Sequence, residues 1–367
     1  MRAALIVVGL LGIVTGVPPV TTAAELPWIK VASDQRGFVT ETGKPFVPWG
    51  VNYDHDDSGR LLEDYWVDDW ERVAEDFAEM RDFGFNIVRV HLQFGKFMNS
   101  ATEANPDSLR QWRRLLDLAE REGLYLDVTG LGCYHKADVP AWYDALEEAG
   151  RWSAQAHFWK AVATASQHSS AVFCYDLMNE PVVPGGQRAS GDWLGPPFAG
   201  KHFVQMITLD PAERSRPEIA RQWIQSLVQA IREVDRRHLI TVGLVDWSLD
   251  RPGLTSGFVP QQVTEELDFV AVHLYPRSGQ LDEALETLKQ FQIGKPLIIE
   301  ETFPLGCQLD EMATFLDRAR EPAAGVISFY WGRTPAELEM SGKLVDGVVR
   351  AWLLRFPELK WPSNEGS

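Results

Sequence analysis

Short runs of apolar and β-branched residues alternate along this chain with longer stretches in which apolar positions recur every three or four residues. From Pro45 onward the runs are FVPWGVNY (46–53), NIVRVHLQF (86–94), YLDVTGLG (125–132), VFCYDLM (172–178), LITVGLV (239–245), FVAVHLY (269–275), PLIIEE (296–301) and GVISFYW (325–331). Each has the length and composition of a buried strand. Between them, DDWERVAEDFAEMRDFG and DSLRQWRRLLDLAEREG read as amphipathic helices stopped by Gly84 and Gly123, and EIARQWIQSLVQAIREVDRR and LDEALETLKQFQ repeat the pattern. Eight strand–helix units without a low-complexity linker predict one α/β domain, a (β/α)8 TIM barrel with its functional residues at the C-terminal strand ends. The alternative is an open doubly wound sheet, which would carry a glycine-rich phosphate loop after the first strand; WGVNYDHDD is unlike one. Two segments stand outside the repeat. GFVTETGKPF (37–46) predicts a hairpin turning at Thr42-Gly43 across the barrel bottom, and the long polar stretch from Val183 to Arg214 is placed to shape a cleft.

The N-terminus changes the picture of where the barrel works. Met1-Arg2, the apolar run from Ala3 to Val14 and the small residues Thr22, Ala23 and Ala24 have the layout of a secretory signal peptide. Residues 1–24 are therefore expected to be removed, leaving residues 25–367 as an extracellular or periplasmic domain. An anchor is the competing reading, but the run is shorter than the ~20 residues that span a bilayer, and Pro18-Pro19 breaks it. The formal charge of −17, without a basic stripe, excludes nucleic acid and anionic membranes as partners and permits a neutral polymer. Cys133, Cys174 and Cys307 have no metal-site spacing; Cys174 reads as a core residue, and a Cys133–Cys307 bridge stays open in an exported protein. No metal or cofactor is expected, and the protein is expected to act as a monomer. The acidic run from Asp54 to Asp57 reads as a solvated loop before an ion site.

Two glutamates end apolar runs, Glu180 in YDLMNEP and Glu301 in KPLIIEETF. On a barrel such carboxyls can meet at the mouth. A pair about 5 Å apart suits double displacement at a glycosidic bond, in which one protonates the leaving oxygen and the other attacks the sugar carbon. Strand alternation groups Glu301 with Leu297 and Ile299, Glu300 with Ile298, His273 and Tyr275 with Phe269 and Ala271, and Arg89 and His91 with Ile87. Arg89, Glu180, His273, Tyr275 and Glu301 are thus candidates to share the mouth, although parity alone does not say which face is inward.

Asn179-Glu180-Pro181 after the fourth strand, HLY in the sixth, PLIIEE in the seventh and Trp331 after the eighth resemble the clan A glycoside hydrolases, most of all family 5, over nearly the whole mature chain. The resemblance implies that Glu180 is the acid/base and Glu301 the nucleophile, and that Asn179 holds the sugar 2-hydroxyl. It also implies that Arg89 and Tyr275 keep Glu301 ionised, His273 positions Glu180, and Trp331 forms the platform under the reacting sugar. The implied protein is a secreted, metal-independent retaining β-glycosidase that cleaves a β-linked polysaccharide, cellulase-like or mannanase-like. An exo-acting enzyme on oligosaccharides and a non-catalytic carbohydrate-binding barrel are the alternatives. Glu300 competes as nucleophile, but the family register, five positions after Pro296, selects Glu301, and the paired glutamates resemble those of some mannanases. Thr129 stands where many family cellulases have a histidine, with His135 later, and ETFPLG replaces the common glutamate–aromatic–glycine ending. His91 and Tyr53 read equally as cleft or structural residues, and Trp49, Trp193 and Trp247 as packing before sugar platforms.

Overall fold

The computed structural model describes residues 26–362 apart from Asp57 and Pro252, so the expected signal segment lies outside the described residues. Every apolar run becomes a strand: β1 Trp49–Tyr53, β2 Ile87–Gln93, β3 Tyr125–Gly132, β4 Val172–Asn179, β5 Leu239–Val245, β6 Val270–His273, β7 Leu297–Glu301 and β8 Gly325–Trp331. They pair in parallel and in sequence order, and β8 closes onto β1. Closure leaves no unpaired edge and rules out the open sheet.

Helices Trp70–Asp82, Pro106–Glu122, Glu148–Ser166, Arg216–Arg232, Leu281–Gln290, Leu309–Ala319 and Leu344–Arg355 return the chain after every strand but β5, which is followed by the single turn Pro260–Val263. Pro106–Glu122 shows why these stretches coil. The Asn105 side chain accepts the Asp107 N–H, Pro106 fits the first turn, and Trp112, Leu115, Leu116 and Ala119 bury one face. Each large apolar side chain contributes about 1.5–3 kcal/mol on burial. Gly123, at φ 73°, then takes the left-handed conformation that stops the helix. Arg216–Arg232 ends before the sequence pattern does, because Asp235 accepts the Arg237 and His238 N–H groups and turns the chain.

The hairpin forms as expected, within a three-stranded antiparallel sheet of Ile29–Val31, Phe38–Thr40 and Pro45–Phe46. Its Ile29, Phe38 and Phe46 plug the barrel bottom against Ile87, Phe173, Phe269, Ile298 and Ile327. This layer settles which parity faces inward. Two residues further along, the same faces carry Arg89 on β2 and Glu300 on β7, both fully buried. The interior is therefore apolar at the bottom and charged toward the mouth. All three cysteines are free: Cys174 sits in the core, and Cys133 and Cys307 do not bridge.

Candidate active site

Strict alternation would send Glu301 outward with Leu297 and Ile299, against the helices. The register between β6 and β7 prevents this, pairing Val272 with Ile299 and then His273 with Glu301. Glu300 is the extra residue of a bulge, and such a kink re-aims the side chain that follows. Both glutamates consequently reach the interior. A second shift, from Thr241–Asp176 to Gly243–Asn179, sets Asn179-Glu180 at the end of β4. Glu180 takes a left-handed φ of 50°, a conformation that costs a non-glycine residue about 1–2 kcal/mol, and its N–H donates to the Gly243 carbonyl at 3.0 Å.

Arg89 organises the floor. One guanidinium nitrogen donates to Glu301 Oε1 and, at 3.0 Å, to Asn52; the other donates to Asp176 at 2.8 Å and to Asn179 Oδ1 at 3.0 Å. The Tyr275 hydroxyl donates to Glu301 Oε2 at 2.7 Å. His273 Nδ1 lies 2.9 Å from Glu180 Oε1 and its Nε2 lies 3.1 Å from Glu300 Oε2. Carboxylate oxygens of Glu180 and Glu301 and a His273 ring nitrogen all lie within 4.8 Å of one another. Glu180 is 18% exposed and Glu301 9%, whereas Glu300 is sealed, so only the first two are open to a substrate. The Asn179 amide is fixed at both ends, its NH2 donating to the Phe203 carbonyl at 3.1 Å.

Beneath the pair lies a charge cluster that a purely structural core would not bury. Burial alone would lower the pKa of His273, but Glu301 and hydrogen bonds to Glu180 and Glu300 outweigh it and raise it to about 10. His273 is therefore an imidazolium that donates from both nitrogens. Burial opposes ionisation of Glu300 too, yet Arg89 and His273 hold it below its usual value. Asp127 goes the other way: burial and the Glu300 charge push it well above the carboxylate range. Each of these acids keeps one buried oxygen without another partner, so a proton on Asp127 is placed to bridge to Glu300. Gly243 must be glycine, because a Cβ there would come within 2.9 Å of Glu300 Oε2 and of His273 Nε2. Among the described residues, Glu180–His273–Glu301 and Asp127–Asp176–Glu300 are the groups close enough to share a metal ion, and in both the carboxylates already face the Arg89 and His273 cations.

The His273 charge gives a pH expectation with a definite sign. A folded pKa raised from 6.5 to about 10 contributes stability that is complete below pH 6.5 and is lost as the pH rises through about 10. Glu300→Gln removes one of the anions holding the proton. The imidazole titration, followed by NMR, is expected to move to lower pH in this variant, and an unchanged titration would show that Glu300 does not hold the charge.

Trp331 is a correction. The β8–β1 register jumps from Ser328–Val51 to Trp331–Tyr53, which turns the indole away from the mouth. It is fully buried, donates to Asp76 at 3.1 Å and packs edge-on against Phe83, so no face is free for a sugar. The part-exposed rings at this strand end belong to Phe329 and Tyr330. Tyr53 also donates to Asp76 and is structural, as are the buried Trp49 and Trp193, while Trp247 is half-exposed after β5. His91 lines the mouth, bonded to Asn52 and Tyr134, and Thr129 donates to Asp176 at 2.7 Å. In the acidic run, Asp54 pairs with Lys201, His55 with Asp76, and Asp56 with Arg60. Asn52, Asp127, Asp176, Gly243 and Tyr134 join the constellation without having been singled out in the sequence.

Residues 39–304 match the family model for cellulase, glycosyl hydrolase family 5. A probable mannan endo-1,4-beta-mannosidase A of Aspergillus flavus is 23% identical over 302 residues, which span 72% of this chain and 69% of that protein. Mannan endo-1,4-beta-mannosidase A of Emericella nidulans is 25% identical over 260 residues, 60% of this chain and 57% of that protein. Among solved structures, an exo-beta-1,4-mannosidase from Opitutaceae bacterium strain TAV5 superposes with a TM-score of 0.64 at 18% identity, over 90% of this chain and 61% of that one. The beta-1,4-mannanase of the sea hare Aplysia kurodai gives 0.61 at 15% identity, over 89% and 96%. These superpositions carry the fold alone, and this chain spans less than two thirds of the Emericella and Opitutaceae proteins. Among the described residues no helix is long and apolar enough to cross a membrane.

Proposed function

The chain belongs to glycosyl hydrolase family 5, and on that premise we propose that it is an exported retaining hydrolase of β-linked mannosides, with Glu301 as nucleophile and Glu180 as general acid/base. The observation that carries this reading is the approach of the two carboxylates to within 4.8 Å. Retaining pairs stand about 5–5.5 Å apart, whereas inverting pairs need about 6.5–9.5 Å to admit a water between them.

The neighbours of the two acids divide the work. Glu301 receives Arg89 on one oxygen and Tyr275 on the other, which fix its orientation, and it retains lone pairs for the sugar carbon. His273 occupies Glu180 Oε1, which leaves Oε2 to carry the proton. In the first half-reaction Glu301 bonds to the anomeric carbon while the bond to the leaving oxygen breaks and Glu180 protonates that oxygen. In the second, Glu180 takes a proton from water, which attacks the same carbon and frees Glu301. The Asn179 amide would meet the 2-hydroxyl, and Phe329 or Tyr330 would supply the aromatic floor in place of Trp331. Mannose as the sugar is supported by the mannanase and mannosidase relatives and by the Glu300-Glu301 strand end; export is supported by the pattern of residues 1–24.

The test is hydrolysis of β-mannan, mannooligosaccharides, carboxymethylcellulose, xylan and mixed-linkage glucan by the mature protein. Mannose-based substrates are expected to be turned over preferentially. Glu180→Gln is expected to keep activity only on aryl mannosides whose leaving group needs no proton. Preference for a glucan would overturn the sugar assignment, and a Glu180→Gln variant active on mannan would overturn the acid. Mannan binding without turnover would mark a carbohydrate-binding barrel instead.

A further inference from the structure

The stretch from Val183 to Arg214 has no part in the reaction above, yet it is tied to the mouth at three consecutive residues. Lys201 Nζ pairs with Asp54, just beyond β1, at 2.9 Å. The His202 N–H donates to the Tyr134 carbonyl beyond β3 at 2.9 Å. The Phe203 carbonyl accepts the Asn179 amide at the end of β4, and its ring lies 5.1 Å from that of Tyr134. Tyr134 in turn bonds to His91 on β2. The return is secured by pairing of Pro181–Val182 with Gln205–Met206 and by Gln205, which donates to the Leu131 carbonyl at 2.8 Å. A short segment thus crosses the β1–β4 side of the mouth and is anchored to its strand ends.

Given the glycosidase reading, on which this step rests, we infer that Lys201 and Asp54 close the glycone end of the cleft into a pocket for one terminal sugar, so that the enzyme removes single residues from the non-reducing ends of β-mannosides. The reacting carbon must lie between Glu180, just beyond β4, and Glu301 on β7. Asn179, whose NH2 keeps one N–H beyond that given to Phe203, can hold its ring and stands on the β1–β4 side. A ring seated there lies under residues 201–203, and a second sugar continuing the same way would have to displace the Lys201–Asp54 contact. The pair also suits a chain end chemically. Asp54 keeps a buried oxygen, Oδ1, without a partner, and the ammonium has N–H groups beyond the one facing Asp54. An acceptor beside a donor fits the vicinal hydroxyls of an unsubstituted terminal sugar. An internal sugar has exchanged one of those hydroxyls for a glycosidic oxygen and loses that donor. The leaving portion would exit past β5, where Trp247 is half-exposed.

The experiment uses mannohexaose fluorescently labelled at its reducing end, with the first products resolved by chromatography. The wild type is expected to yield unlabelled mannose and labelled pentaose only. Lys201→Ala is expected to lose roughly 10- to 100-fold in the rate of mannose release and to give labelled di- to tetrasaccharides from the first turnovers. Lys201→Arg, which can restore the ion pair, is expected to recover single-sugar release, and its recovery separates loss of the contact from misfolding. Mixed labelled products from the wild type, abolished by Glu301→Gln, would overturn the pocket and leave the glycosidase reading standing. Labelled mannose as the first product would place the closed end on the other side, and strict single-sugar release by Lys201→Ala would show that Lys201 does not close the pocket. No hydrolysis by the folded wild type would bring down the glycosidase reading and the pocket with it.

Discussion

Glu301→Gln is expected to cut turnover of any substrate by roughly 10⁴-fold or more, the scale on which enzymes lose activity with a covalent nucleophile. The fold should survive. Glutamine keeps an amide oxygen for Arg89, and the Tyr275 hydroxyl can rotate to accept from the new NH2 group. What it cannot supply is an anionic oxygen able to bond the anomeric carbon. Steady-state kinetics beside a thermal melt would check both halves. The contrast with Glu300→Gln is informative, because the sealed Glu300 is set beneath the site as the partner of His273 and should leave a measurable rate. Equal losses in the two variants would reopen the assignment of the nucleophile.

Arg89→Lys is expected to cost stability and activity together. The guanidinium is fully buried and divides its N–H groups among Asn52, Asp176, Asn179 and Glu301, with Glu300 at 3.5 Å. An ammonium has three N–H groups about one point and cannot reproduce that planar fork. Any carboxylate that the more compact ammonium does not reach is left as a buried charge without its partner, which costs about 3–5 kcal/mol for a broken buried pair. Chemical denaturation would read the loss of stability. The loss of rate should appear in kcat, because Glu301 would no longer be aimed by the guanidinium. A lysine variant as stable as the wild type would mean that a point charge suffices and that the planar fork of Arg89 is not what holds the cluster.

The barrel was legible because its signals are local. Eight apolar runs with helical patterns between them, and glycines at the helix ends, fix strand, helix and stop before any tertiary contact is considered. Inward direction was another matter. Parity correctly grouped Arg89 with Ile87 and Glu300 with Ile298, but the bulge opposite His273 brings Glu301 inside against its own alternation. Its place at the end of an apolar run singles it out, and the resemblance selects it over Glu300. The same limitation explains Trp331, whose position at the end of β8 suggested a platform until a register jump turned it into the core. Asp127 and Asp176 did leave a trace, since an acid inside an apolar strand must find a cation or take up a proton; without knowledge of which strands are neighbours, that trace had no address. The Lys201–Asp54 contact joins loops 147 positions apart, and loops carry no period from which such a contact could be read.

If Glu301 forms a covalent bond to the sugar while Glu180 manages the proton, the glycosyl-enzyme can be trapped. The direct measurement is incubation of the mature protein with a 2-deoxy-2-fluoro-β-mannosyl fluoride, which slows the second half-reaction more than the first, followed by peptide mapping by mass spectrometry. One fluorosugar per chain is expected, attached at Glu301 on the strand that begins at Leu297. Attachment at Glu300, or hydrolysis of mannosides with inversion and no adduct, would contradict it.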